Sequence, residues 1–433
     1  MKAASVRDDV TSLLQALLRL DTVNPPGNET AAAELLRDFL ERYGIDCRLY
    51  ARSPERANLV ARIRGRDPDA PRLLYLAHTD TVLADPSEWT VDPWSGEVRD
   101  DHVWGRGALD MKGQVAASAV AIAMLARERF DPEGDVIFAA TADEEVGARF
   151  GLEWMCDEHP EAIRATWCIN EGGGDRIVVD GRVLYLCSTA EKASSPFVLR
   201  VRGRSGHASM PSLGDNALVK AAVLVERLGS LEFPVTVTSE TQAFLAAVLG
   251  ESGPPDDALE TLRARAPGAA AMVEPMLRTT VSPTQITASD KRNVIPAVCE
   301  VVCDCRLLPG ERQADVEHQL IARLGADGYE LEWLEHAGGS QSALATPLWE
   351  WIEAFVDQED PGARLVPTLL PGFTDSHYLR RTFGTIAYGF FPMRTMNAEL
   401  AALLVHSADE RAAVEDLELG TRFLIETAKA LQT

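Results

Sequence analysis

Gly105-Arg106-Gly107-Ala108-Leu109-Asp110-Met111-Lys112-Gly113 opens a run of apolar residues that lasts to about Phe130, and Val136-Ile137-Phe138-Ala139-Ala140 then hands over Thr141-Ala142-Asp143-Glu144-Glu145. The run from Met111 to Phe130 is apolar on nearly every face, which predicts a buried helix. The short run from Val136 to Ala140 predicts a strand. Asp110 therefore stands between a glycine-rich loop and a rigid helix, and Glu144 and Glu145 stand just past a strand end. Carboxylates held on such edges are free to point into a cleft.

Working outward, the same texture repeats. Apolar residues at helical spacing predict helices over Asp8–Leu20 and Thr30–Tyr43, the second closed by Gly44. Asn58–Ile63 and Leu73–Ala77 predict strands, and the turn-like Asp67-Pro68-Asp69-Ala70-Pro71 between them predicts a hairpin. The second of these strands delivers His78-Thr79-Asp80. Ala148–Glu158 reads as a helix and Thr166–Ile169 as a strand that ends at Asn170-Glu171-Gly172-Gly173-Gly174. Strands alternating with helices, with polar residues collected where strands end, predict an α/β sheet whose site lies in the crevice at those ends. By the same reading His406 belongs to a strand end or the loop after it. The polar stretch from Thr81 to Trp104, with Trp89, Trp94 and Trp104, is too long for an idle connection.

The texture changes near Lys192. A strand at Phe197–Val201, a loop at Gly203–Pro211 carrying His207, and a helix at Asn216–Leu228 come first. Gly229–Thr280 is rich in proline and acidic residues, with helical patches such as Ala258–Ala264. Strands at Gln285–Thr287 and Cys299–Leu307, a helix at Glu311–Leu324 and a strand at Glu330–Leu334 follow. Strand, helix, two strands, helix, strand is the ferredoxin-like order, and such units fold as domains in their own right. After Gly338-Gly339-Ser340 the α/β texture returns, with a helix from Pro347, a glycine-containing loop at Pro371–His377, a strand at Thr385–Gly389 and a last helix over Val414–Leu431. The expected organisation is a mixed-sheet α/β catalytic domain from 1–191 and 338–433, with a ferredoxin-like domain inserted at 192–337.

Length and composition bound the function. A chain of 433 residues exceeds one ordinary core, and 46% apolar with 25% charged residues is the balance of a soluble globular protein. A net charge of -24 disfavours nucleic acid and anionic membranes, which are bound through Lys and Arg. The beginning of the chain lacks an apolar core of signal-peptide length, and no run has the roughly 18 apolar residues of a membrane span. Seven scattered cysteines argue against a disulfide framework and fit a reducing, cytoplasmic compartment. Cys303 and Cys305, two apart on a strand, share a face and are read as core packing.

Imidazoles with carboxylates suit zinc and its neighbours, and a two-metal site needs one bridging carboxylate with separate ligands for each ion. His78, Asp110, Glu145, Glu171 and His406 supply that set. Of the Glu144–Glu145 pair, one carboxylate can bind metal while the other stays free to hold a water. Asp80, two residues after His78, can fix the ring through its other nitrogen. A lone His-x-Asp is more often a surface or capping feature, and an isolated Glu-Glu pair a solvated face. Their common place at strand ends joins them into one hypothesis.

His78-Thr79-Asp80, Gly105-Arg106-Gly107-x-x-Asp110-x-Lys112-Gly113, Glu144-Glu145, Glu171 and His406 resemble the signature of the co-catalytic zinc peptidases. That family includes aminoacylase 1, acetylornithine deacetylase, succinyl-diaminopimelate desuccinylase and carboxypeptidase G. The resemblance runs from about Thr22-Val23-Asn24-Pro25-Pro26 to His406. It implies that His78, Asp110 and Glu171 hold one metal ion and Asp110, Glu145 and His406 the other, with Asp110 bridging and Glu144 as general base. Zinc is the expected ion, with cobalt or manganese as alternatives. Glu171 stands where the family tends to have Asp in aminopeptidases and Glu in acylases, deacylases and carboxypeptidases.

Gly203–Pro211 resembles the family's lid segment, which implies a homodimer in which His207 reaches the partner subunit's active site. Asn293, Arg306 and, in Pro371–Ser376, Gly372 match substrate-holding positions, although Phe373 replaces the usual second small residue. An Arg fork suits a free carboxylate on the substrate. The implied reaction is hydrolysis of an amide bond in an N-acyl amino acid or small peptide by a metal-bridging water. A dipeptidase or carboxypeptidase, an aminopeptidase, and an inactive metal-binding scaffold are the alternatives. Lys112 is expected in a structural ion pair.

Overall fold

The computed structural model describes residues 5–249, 255–265 and 267–433. Two compact units divide them: one of residues up to Thr189 with Ser342–Thr368 and Thr374–Thr433, the other of Ala190–Gln341 with Leu369–Phe373.

The first unit is built on a large mixed sheet. Its strands are β1 (Asp46–Ala51), β2 (Ala57–Ile63), β3 (Leu73–His78), β4 (Val136–Thr141), β5 (Trp167–Asn170), β6 (Arg182–Glu191), β7 (Arg364–Leu370) and β8 (Ile386–Gly389), in the order β1-β2-β4-β3-β5-β8-β6-β7. Arg176–Val179 adds a ninth strand as a hairpin on β6. β4, β3, β5 and β8 run parallel, so their C-terminal ends collect on one edge. His78 lies opposite Thr141 in that ladder. β3 and β4 are buried along their whole length, as parallel strands covered on both faces are.

The expected hairpin between Asn58–Ile63 and Leu73–Ala77 does not form. β4 lies between β2 and β3, and β2 instead makes its hairpin with β1.

Four helices dominate the packing: α1 (Val6–Leu18), α2 (Thr30–Glu41), α3 (Lys112–Arg127) and α4 (Val414–Leu431). α1 starts at a capping box, where Ser5 Oγ accepts the Asp8 N–H and the Asp8 carboxylate accepts the Ser5 N–H. α3 is buried from Lys112 to Leu125 because α1 and α4 pack on it while it lies over β3 and β4. That is the buried helix its uniform apolarity predicts. Lys112 is fully buried at its start, and its Nζ donates to the Leu17 and Leu20 carbonyls, both at 3.1 Å. The expected ion pair is thus replaced by a cation capping the C-terminal end of α1, a favourable place for positive charge.

The second unit has strands at Phe197–Arg202, Thr280–Thr287, Val298–Leu307 and Glu330–Trp333, with helices at Ala217–Gly229 and Gln313–Leu324. Fourth, first, third, second is their order across the sheet, and every pairing is antiparallel, which is the ferredoxin-like arrangement. Cys299, Cys303 and Cys305 point into its core with Phe197, Leu199 and Leu320. Within Gly229–Thr280 the described residues include helices at Ser239–Leu249, Pro255–Arg265 and Pro267–Val273.

Candidate metal centre

Asp110 reaches the sheet edge through a loop with little steric freedom. Gly107 has φ +89°, and a Cβ there would stand 2.7 Å from the Thr81 methyl group, so the turn requires glycine. The carboxylate of Asp110 then divides itself. Oδ1 is 3.1 Å from His78 Nε2, and Oδ2 is 3.1 Å from His406 Nε2. On the first side Glu171 Oε2 lies 3.8 Å from the same His78 nitrogen, and on the second Glu145 Oε2 lies 3.2 Å from His406 Nε2. The ligand atoms of His78, Asp110 and Glu171 fall within 4.8 Å of one another, as do those of Asp110, Glu145 and His406.

The donor set fits two divalent cations. Imidazole nitrogens and carboxylate oxygens converge with one shared carboxylate, and Glu145 Oε1 is buried without a hydrogen-bond partner among the described residues. The electrostatics agree. Burial, aided by the charge of Glu171, pushes the Glu144 carboxyl well above its usual range, and burial raises Glu171 to about 7. Hydrogen bonds to Asp110 and Glu145 raise His406 to about 10. Burial opposes protonation of His78, yet Glu171, Asp110 and Asp80 hold that ring well above its usual value. Asp110 is itself pulled far down, against its burial, by the two imidazoles.

Asp80 does more than the expected ring fixing. His78 Nδ1 lies 3.0 Å from the Asp80 backbone carbonyl and 3.3 Å from the carboxylate. The carboxylate also accepts the backbone N–H of Glu144 and of Glu145, each at 3.2 Å, so one buried anion orients a candidate ligand and the loop carrying the candidate base. Asn24 Nδ2 bridges Asp80 to Asp143 at 2.9 Å on each side. Arg56 joins Asp143 to Glu29, with bonds of 2.7 Å to the former and 2.6 and 2.8 Å to the latter. Asp143 and His406 both sit in the left-handed region, at φ 69° and 60°, where a side chain costs backbone energy and which recurs at functional sites.

Asp375 lies buried beside this network, its Oδ2 accepting the Thr141 hydroxyl at 3.0 Å, and burial raises its carboxyl to about 8. Glu29, Arg56 and Glu410 carry no motif in the sequence that marks them as parts of the site, and Asp143 and Asp375 lie within stretches singled out there without a role of their own. His406, expected at a strand end, instead follows the helix Ala398–Leu404.

The other expected site residues belong to the second unit. His207 is exposed, with Nδ1 against the Ser209 hydroxyl at 2.7 Å. Asn293 is exposed and its carbonyl accepts the Ala208 N–H at 3.0 Å. Arg306 is held by Asp304 through Nε at 3.0 Å and Nη2 at 3.0 Å. The Gly372 carbonyl accepts the Lys192 N–H at 3.2 Å, and a Cβ at Gly372 would meet open space, so its backbone makes no special demand for glycine.

A parallel sheet edge presenting two imidazole–carboxylate triads that share one aspartate defines a metal-dependent hydrolase. The chain belongs to peptidase family M20/M25/M40, whose model matches residues 74–430. It is 26% identical over 423 residues to a succinyl-diaminopimelate desuccinylase of Cereibacter sphaeroides, covering 95% of each chain. It is also 26% identical to the N-fatty-acyl-amino acid synthase/hydrolase of Homo sapiens, over 86% of this chain and 76% of that one. Its fold resembles an M20 family metallo-carboxypeptidase from Sulfolobus solfataricus, with a TM-score of 0.75 at 18% identity over 98% and 99% of the two chains. A dinuclear metal-binding peptidase of the family from Bacillus subtilis superposes with a TM-score of 0.60 at 14% identity, over 98% and 97%. The α/β reading with an inserted second domain and the assignment as an enzyme are both borne out.

Proposed function

We propose that this chain hydrolyses the amide bond of an N-acyl amino acid or small peptide that ends in a free carboxylate. The observation that carries the proposal is the divided Asp110 carboxylate, one oxygen on His78 and the other on His406, with the Glu144 N–H held by the Asp80 carboxylate that also lies against His78. His78, Asp110 and Glu171 would hold one ion, and Asp110, Glu145 and His406 the second. When bound, two such ions, zinc by the mixed imidazole–carboxylate chemistry or else cobalt or manganese, polarise the amide carbonyl and acidify a water. Glu144, whose N–H is held by the Asp80 carboxylate, would accept a proton from such a water and return it to the leaving amine.

Arg306 and Asn293 receive the substrate's carboxylate end, and Gly372 is a further substrate contact. Asp304 binds Arg306 along the Nε–Nη2 edge, which leaves Nη1 free to face a second anion. His207, supplied by a second subunit, stabilises the oxyanion. A homodimer is supported by the second unit's own surface. Thr280–Thr287 is an edge strand paired on one side only, and the neighbouring helix Ala217–Gly229 exposes Leu218, Val219 and Val223 at 41%, 62% and 44%. No helix among the described residues is long and apolar enough to cross a membrane, and the seven cysteines are free, which supports a cytoplasmic site of action.

A panel of N-acyl amino acids, dipeptides and carboxylate-free amides, assayed with defined zinc, cobalt and manganese loading, tests the proposal. Chelator-sensitive cleavage of N-acyl amino acids is expected. Preference for dipeptides would move the protein to the dipeptidase or carboxypeptidase reading, and preference for substrates with a free amine and no carboxylate to the aminopeptidase reading. Cleavage of no amide under any metal loading would leave a metal-binding scaffold.

A further inference from the structure

We propose that Glu410, with Arg106, is a positioning residue of the metal centre: it fastens the loop that carries Asp110 to the loop that carries His406, and so fixes the two metal positions relative to each other. This rests on the reading of Asp110 as the bridging ligand.

Glu410 is fully buried, and its two carboxylate oxygens accept from four donors. Oε1 takes the Leu109 N–H at 2.8 Å and the Asp110 N–H at 3.1 Å. Oε2 takes the Gly107 N–H at 3.1 Å and a guanidinium N–H of Arg106. The amides of the glycine-rich loop are thus gathered on one anion, which sets the direction in which the Asp110 side chain leaves the backbone. Arg106 completes the fastening from the other side, since its Nη2 donates to the Ser407 carbonyl at 2.9 Å, one residue after His406. The Gly105 N–H donates to the Glu410 carbonyl at 2.9 Å, and Arg411–Ala413 pairs with His102–Trp104. His406 itself holds a left-handed backbone conformation that ordinary side chains avoid, and so needs support from its surroundings.

A carboxylate suits this place because charge-assisted bonds to N–H groups are about twice as strong as neutral ones. In Glu410→Gln an amide NH2 replaces one oxygen and faces N–H groups that it cannot accept. Partners one layer behind metal ligands typically change metal affinity by roughly 10–100-fold when altered.

The test is calorimetric titration of chelator-stripped wild type and Glu410→Gln with Zn2+ alone, and with Co2+ followed by its visible spectrum. Two ions per wild-type chain are expected. In Glu410→Gln the second ion should bind roughly 10–100-fold more weakly with an altered cobalt spectrum, and Arg106→Lys, which keeps the charge but loses the fork, should fall between. Two ions with unchanged constants and spectrum in both variants, whatever their melting temperatures, would reduce the clamp to a structural ion pair and overturn this inference alone. Fewer than two ions in the wild type would overturn the bridging reading together with it. Should Glu410→Gln fail to fold, Arg106→Lys carries the same comparison.

Discussion

Arg56→Met tests the buried network behind the metal centre. Arg56 is 7% exposed, and its guanidinium serves two carboxylates that are themselves buried, Glu29 at 0% and Asp143 at 2%. It donates from Nε and Nη2 to Glu29, from Nη2 to Asp143, and from Nη1 to the Pro26 carbonyl at 3.0 Å. Removing one partner from a buried ion pair costs about 3–5 kcal/mol, because the remaining charge has no solvent to return to. For a domain of this size roughly 2–4 °C accompanies each kcal/mol, so the melting temperature should fall by roughly 6–20 °C. Burial already pushes the Glu29 carboxyl up against the pull of Arg56. Without Arg56 the folded-state value rises further above the unfolded one. The variant should therefore keep more of its stability at low pH and lose it as pH rises through the folded-state value. Denaturant unfolding of wild type, Arg56→Met and Glu29→Gln/Arg56→Met at pH 5 and pH 8 measures this. The double variant should be more stable than Arg56→Met, since one stranded charge is gone. A loss under about 1 kcal/mol, or a double variant no better than the single, would refute the argument.

Glu144→Gln should lower kcat by roughly 10²–10⁴-fold while metal content, read by emission spectroscopy, stays at the wild-type level. Lys192 is fully buried, its Nζ donating to the Pro275 and Arg278 carbonyls, and burial lowers it to about 8. Between there and the unfolded value near 10.5 the folded chain binds fewer protons than the unfolded one, so stability from this group rises with pH, by up to about 3 kcal/mol, and Lys192→Met should lack that rise in urea titrations at pH 7.5 and 10. Val219→Asp, on the exposed helix of the second unit, should convert a dimer to a monomer in light scattering and reduce turnover; a fully active monomer would remove His207 from the site.

Much of the sheet edge was legible because each strand leaves a polar signature where it ends. The strands themselves read as apolar runs, and α3 reads as buried because no face of it is polar. What sequence adjacency misled was pairing: a turn between Ile63 and Leu73 suggests a hairpin, yet nothing local tells that β4, many residues later, will lie between them. Proline hid one further strand and shortened another, of which only Gln285–Thr287 reads as strand in the sequence. Pro367 in β7 and Pro283 in Thr280–Thr287 demote those runs in a pattern reading, and both lie on sheet edges, the second beside a register shift, where a missing N–H does least harm. Lys112 was misread for a different reason. Its partners are backbone carbonyls of α1, and no residue type in the sequence advertises a carbonyl.

The supporting carboxylates differ in how far the sequence announces them: Asp80 stands two residues after His78, whereas Glu410 belongs to no such pattern. Asp80 and Glu410 use the same device: each is fully buried, and each gathers the backbone N–H groups of a loop that presents a proposed ligand. One fixes Glu144 and Glu145 together with His78, and the other fixes Asp110 beside His406. Side chains supply part of their satisfaction, Arg106 for Glu410 and Asn24 and His78 for Asp80, but the backbone amides that supply the rest leave no residue type in the sequence to mark them. The same satisfaction holds a loop rigidly, because withdrawing any one N–H would leave buried charge under-solvated at about 1–3 kcal/mol or more. The loops that carry the proposed ligands are thus held by bonds within the protein itself.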